Sequence, residues 1–199
     1  MRDVQPRLEG RAVLVRYADD FVITFERETD ARRVHDVLPK RFAKYGLTLH
    51  PEKTRLVEFN RPHSSSDDDD DGPGTFDLLG FTHHWGLSQR GNWVVKKRTA
   101  GDRFGRALKR VTQWCRLRRH DSIQVQSKAL AQKLRGHYAY YGITGNADAI
   151  GRFYFEVIGI WHKWLSRRSH RAYILWANMK RILERFPLPK PRLVHRYGT

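Results

Sequence analysis

Apolar and polar positions change period once along this chain. Residues 12 to 18 and 21 to 25, AVLVRYA and FVITF, are two β-rich runs, and their spacing predicts a tight hairpin with the intervening polar residues at its tip. TDARRVHDVLPKRFAKYG then places Val34, Val37, Leu38, Phe42 and Tyr45 on one helical side. Thr29 or Asp30 is the expected N-cap, Gly46 the C-cap, and Pro39 a kink or break. LTLHPEKTRLVEF returns to strand character around a turn at Pro51, and FDLLGFTHHWG reads as sheet up to a turn at Gly86. His83 and His84 are neighbours on that strand and point to opposite faces, so ordinary strand histidines are expected and not a ligand pair.

From about residue 97 the spacing shifts to three and four. Phe104, Leu108, Val111 and Cys115 mark one helix, Ile123, Leu130, Leu134 and Tyr138 a second, and Ile150, Phe153, Val157, Trp161 and Leu165 a third. Tyr173, Trp176, Met179 and Leu183 suggest a fourth. The expected fold class is α+β: antiparallel strands with one helix over residues 1–95, then an all-helical bundle over 96–199. SSSDDDDDGPG, residues 64–74, is expected as a loop in the first part, either a solvated connection or a cation-binding or RNA-mimicking segment.

Charge separates the same two parts. The formal net charge is +17, yet residues 1–75 hold 13 Lys and Arg against 15 Asp and Glu, whereas residues 76–199 hold 25 against 6. A polycation interleaved with Trp, Tyr and Phe suits nucleic acid, because bases offer stacking faces as well as phosphates. A solubilising surface or a face for anionic membrane would explain the charge but not the aromatics. No run approaches the roughly 18 apolar residues of a membrane helix, and MRDVQPRLEGR has no apolar signal-peptide core. The expectation is a soluble, cytoplasmic protein without a membrane partner. One cysteine, Cys115, excludes an internal disulfide and any zinc site needing paired cysteines.

The hairpin tip carries the candidate chemistry. Asp19 and Asp20 stand side by side among Val, Tyr, Phe and Ile. The run otherwise reads as buried sheet, so two like charges there must shift their proton equilibrium or find a cation, and paired carboxylates point to a hard metal ion.

YADD at a hairpin tip, then GLTLHPEKT, FDLLGF, LAQKLRGHYAYYG and FYFEVIGIWHKWLSRRS, in that order, resemble the rear half of a group II intron reverse transcriptase with its maturase domain. The resemblance implies a partial polymerase palm followed by a thumb or maturase bundle, and hence an RNA-directed DNA polymerase that also assists RNA splicing and intron mobility. In that family the hairpin aspartates belong to a two-metal site, so Asp19 corresponds to a direct Mg²⁺ ligand and Asp20 to its weaker partner. Tyr17 and Ala18 correspond to the floor near primer and nucleotide, Lys53 to a lysine that approaches the triphosphate, and Gly80 to the hairpin that grips the primer end. Arg135, Lys163, Arg167 and Arg168 correspond to phosphate contacts, and Tyr140 and Tyr141 to base-stacking or core positions. Implied partners are group II intron RNA and a DNA primer or target.

The family also needs a carboxylate from an earlier strand and a fingers region, and only Asp3 and Glu9 precede the motif here. Two functions follow as expectations: part of a polymerase completed by a separate N-terminal reverse-transcriptase fragment, or a non-catalytic RNA-binding maturase fragment, the remnant of a broken gene included.

Overall fold

A computed structural model describes residues 5–62, 74–169, 171 and 173–196. The Asp67–Asp71 run and Asp3 lie outside them. The fold is α+β, with antiparallel strands in the first part and helices in the second. Two compact units divide the chain, Met1–Leu79 with His83–Val95, and Gly80–Thr82 with Lys96–Thr199.

In the first unit, β1 (Ala12–Tyr17) and β2 (Asp20–Phe25) form an antiparallel two-stranded sheet, in register from Ala12 opposite Phe25 to Tyr17 opposite Asp20. Helix α1 (Glu28–Ala43) follows and stacks Phe42 on Phe21 of β2, ring centroids 5.9 Å apart. Asp30 is not the cap expected of it. It is buried inside the first turn, and its carboxylate accepts the backbone N–H groups of Glu9 (3.0 Å) and Gly10 (2.8 Å), tying the lead segment to the helix. Pro39 does not break α1, which runs on to Ala43. Gly46 takes a left-handed φ of 69° just beyond, and Leu47 N–H reaches back to the Phe42 carbonyl.

The strand expected over LTLHPEKTRLVEF does not form. Residues 47–50 and 54–60 are irregular, with a turn at 51–53. Pro51 contributes no N–H, and the β-prone side chains there meet no ladder partner. Phe59 holds this stretch instead: its ring stacks on Trp85 (5.4 Å) and meets Phe76 edge-on (5.0 Å), while the Trp85 indole donates to the Phe59 carbonyl (3.4 Å).

β3 (Phe76–Leu78), β4 (Phe81–Leu87) and β5 (Trp93–Thr99) form a sheet in that order. β4 continues through Gly86, so the expected turn falls later, at residues 88–91, where Gly91 N–H bonds the Ser88 carbonyl.

The helical unit contains α2 (Gly101–Leu117), α3 (Ile123–Tyr141), α4 (Ala147–Leu165) and α5 (Trp176–Arg185). The fourth helix starts later than its aromatic spacing suggests, leaving Tyr173 outside it and exposed. Cys115, Leu130, Leu134, Tyr138, Ile150, Phe153, Val157, Trp161, Leu165 and Met179 form the core. Each large side chain fully buried there contributes about 1.5–3 kcal/mol relative to exposure. Burial pushes the Cys115 thiol up to about 12, so it packs as a small apolar group and not as a nucleophile.

Three buried polar residues fasten the unit. Gln126 accepts from the Trp161 indole (2.9 Å) and donates to the Asp121 carbonyl (2.8 Å), joining α3, α4 and the α2–α3 connection. Asn146, just before α4, accepts from Thr99 N–H (2.9 Å) and donates to the Thr99 hydroxyl (2.9 Å) and the Tyr141 carbonyl (2.8 Å). Tyr138 donates to the Pro189 carbonyl (3.2 Å), and Val194 and His195 N–H groups both reach Gly142, which lays the chain after α5 back over α3.

Candidate active site and nucleic-acid surface

The β1–β2 turn consists of Ala18 and Asp19, with Asp20 already paired to Tyr17 in the ladder. Ala18 has φ 53°, a region that disfavours any side chain bearing a Cβ. The Arg16 guanidinium closes the turn by donating through Nε to the Ala18 carbonyl at 2.7 Å. The chain thus presents both carboxylates at a strained tip.

They are not buried. Val15 is 54% exposed and Tyr17 68%, and Asp19 and Asp20 are exposed with them. The desolvation expected to force this pair onto a cation is therefore absent: the apolar run that looked like core is a two-stranded ribbon open to solvent.

Lys53 lies in the 51–53 turn, exposed, its N–H donating to the His50 carbonyl (3.2 Å). Among the described residues no hydrogen bond or ion pair joins it to Asp19 or Asp20. The carboxylates are the right donor type for magnesium, but no group of three or more His, Cys, Asp or Glu side chains that could hold a metal ion occurs among the described residues.

Gly80 belongs to the helical unit. Leu79 (φ 51°) and Gly80 (φ 76°) are the two central residues between β3 and β4, the signature of a primed hairpin turn. A Cβ on Gly80 would also come within 3.2 Å of the Tyr141 hydroxyl and 3.8 Å of the Tyr140 ring. Phe81 follows, stacked on Tyr140 (5.8 Å, 14° between planes) and edge-on to Tyr141 (5.3 Å). Tyr141 packs against the core, and burial raises its phenol above the ordinary range. Tyr140 keeps half its surface, 52%, in solvent.

The four basic positions separate by environment. Arg135 on α3 and Lys163 on α4 are exposed, and exposed Arg167 holds its guanidinium 5.6 Å from the Trp164 ring centroid. Arg168 is half-buried and donates to the Asp121 carbonyl at 2.8 Å, and burial lowers the pKa of its guanidinium. Arg168 thus differs from the other three, its guanidinium being engaged within the fold.

Sequence reasoning missed the basic stripe of α2. Arg103, Arg106, Lys109, Arg110 and Arg116 are all exposed there. Asp102 pairs with Arg106 and lies 3.7 Å from Arg103, whereas Lys109, Arg110 and Arg116 have no acidic partner among the described residues. The signal was present as RxxRxxKRxxxxxR over residues 103–116.

Residues 1–83 match the family model described as reverse transcriptase (RNA-dependent DNA polymerase). The match includes the YADD hairpin and supports a reverse transcriptase domain in this part of the chain. No curated protein matches the chain.

Proposed function

We propose that this chain is a group II intron maturase-type protein that uses its helical unit to bind intron RNA and its YADD hairpin as the remnant or component of a polymerase palm. The observation that carries the reading is the reverse transcriptase match over residues 1–83, with Asp19 and Asp20 at an exposed hairpin tip, followed in the same chain by a strongly basic helical unit. RNA binding has the better support of the two activities. Phosphate contact needs exposed cations, and Arg135, Lys163 and Arg167 provide them; Tyr140, half-exposed, offers a ring for stacking. DNA synthesis by a two-metal mechanism needs a further carboxylate beside Asp19 and Asp20. A DNA primer or target enters the reading only with that activity.

Fluorescence anisotropy of the full chain with group II intron RNA, against an unrelated structured RNA of equal length, tests this. Affinity for the intron RNA should fall with salt, with a log-log slope of about −0.7 to −0.9 per neutralised phosphate, and should exceed affinity for the control. Equal binding to both RNAs removes the intron assignment. A salt-insensitive affinity, or preference for anionic vesicles, removes RNA binding itself.

A further inference from the structure

Between α2 and α4 the surface of the helical unit opens into a groove of about 510 Å³. Leu108, Ile160 and Trp164 line it as half-buried side chains, and Lys109, Gln113 and Arg116 as exposed ones. The floor positions follow from helical spacing, since residues 108, 112 and 116 of α2 and 160 and 164 of α4 fall on facing stripes. Trp164 adds a half-buried aromatic ring to that floor. One place therefore combines an apolar, partly aromatic floor with two cations that have no acidic partner among the described residues.

We propose that this groove takes a nucleotide of unpaired RNA. A base or ribose face would lie on Leu108, Ile160 and Trp164, and the flanking phosphates would face Lys109 and Arg116. A volume of about 510 Å³ falls in the range of small-ligand pockets. Double-stranded RNA does not fit these demands, because its bases are stacked inside the helix and only single-stranded or looped bases can be splayed into such a groove. The wider surface favours RNA over an acidic peptide, since cations continue along α2 beyond the groove at Arg103, Arg106 and Arg110 and suit a repeating polyanion. This site rests on the RNA-binding reading of the helical unit and adds the strand type and the location.

The test uses the full chain and a short single-stranded oligouridine carrying a photoreactive iodouridine, with a hairpin duplex of the same RNA as comparison. Crosslinks should map to the peptides around 108–116 and 160–164, and the single strand should bind more tightly than the duplex. Trp164→Ala removes the aromatic part of the floor and should weaken single-strand binding by several fold with little change in salt slope. Lys109→Gln with Arg116→Gln should weaken it about tenfold and flatten the slope by up to two phosphate equivalents. Lys128→Gln with Lys180→Gln removes the same charge from exposed positions outside the groove lining and should cost less. Circular dichroism and urea unfolding check that each variant folds.

Equal losses from the two charge pairs, or crosslinks elsewhere, overturn the groove while leaving RNA binding in place. Absence of RNA binding by the unsubstituted chain overturns both. Tighter binding of an aspartate-rich amphipathic peptide than of oligouridine, sensitive to Trp164→Ala, overturns RNA as the occupant in favour of a protein.

Discussion

Arg168 donates its guanidinium to the backbone carbonyl of Asp121 at 2.8 Å, fastening the end of α4 to the connection between α2 and α3. The same carbonyl receives Gln126 Nε2, also at 2.8 Å. Arg168→Ala should cost about 1.5–3 kcal/mol of unfolding free energy in urea, the range for a hydrogen bond involving a charged group. RNA affinity should change less than in Arg135→Ala or Lys163→Ala. The reverse ranking in anisotropy titrations would return Arg168 to the RNA surface.

Asn146→Ala should be among the most damaging single changes in the helical unit. It removes three hydrogen bonds and leaves the buried Thr99 N–H without its acceptor, at a cost of about 2–4 kcal/mol. Asn146→Asp keeps an acceptor but loses both donated bonds, and should recover only part of that loss. Urea midpoints of the two variants give the comparison.

Backbone strain makes opposite predictions at two hairpins. Ala18→Gly should stabilise the β1–β2 turn by up to about 1 kcal/mol, since glycine adopts positive φ without a Cβ penalty. Gly80→Ala should destabilise, because φ is 76° and the new Cβ would press on the Tyr141 hydroxyl. Amide hydrogen exchange across residues 12–25 and 76–87 reads both changes locally.

His137 should give the helical unit an acid-sensitive component. Its imidazole stacks on Phe153 at 3.7 Å, and burial lowers its pKa from the ordinary 6.5 to about 4. The unfolded chain then binds the proton first as pH falls, so the stability tied to neutral His137 is complete above about pH 6.5 and is lost progressively toward pH 4. His137→Phe should flatten urea stability across this window. An unchanged pH profile would remove His137 as the cause.

Asp19→Asn with Asp20→Asn should leave RNA affinity unchanged or slightly raised, since it removes two negative charges from an exposed tip. On an RNA template in Mg²⁺ buffer, any primer extension by the unsubstituted chain should be lost in the double variant, because the proposed palm holds its metal through these carboxylates. Extension that survives the double substitution would remove the pair from a polymerase site.

Helical periodicity made α3 and α4 legible to within a few residues, because their apolar positions are also their buried ones. β5 gave no comparable signal: Val94 and Val95 are exposed, and lysines follow directly. Residues 47–59 show the converse error, β-prone side chains with no strand to pair with. Asp30, Gln126 and Asn146 resemble ordinary polar surface in sequence, and only their distant partners reveal them as buried fasteners. The carboxylate pair was legible as a motif but misjudged in setting, since adjacent apolar residues say nothing about which side of a ribbon is covered.

The open β1–β2 ribbon also bears on how the protein can be handled. Among the described residues the two-stranded sheet leaves each strand one edge without ladder partners, and Val13, Leu14 and Val15 are exposed on the first of them. High salt strips polyanions from a basic surface, while sulfate and phosphate salts strengthen apolar association. Purification free of nucleic acid and resistance to precipitation therefore pull the solvent in opposite directions. Val15→Lys, on that exposed edge strand, should widen the workable range of salt and concentration, measurable as a lower light-scattering signal in ammonium sulfate.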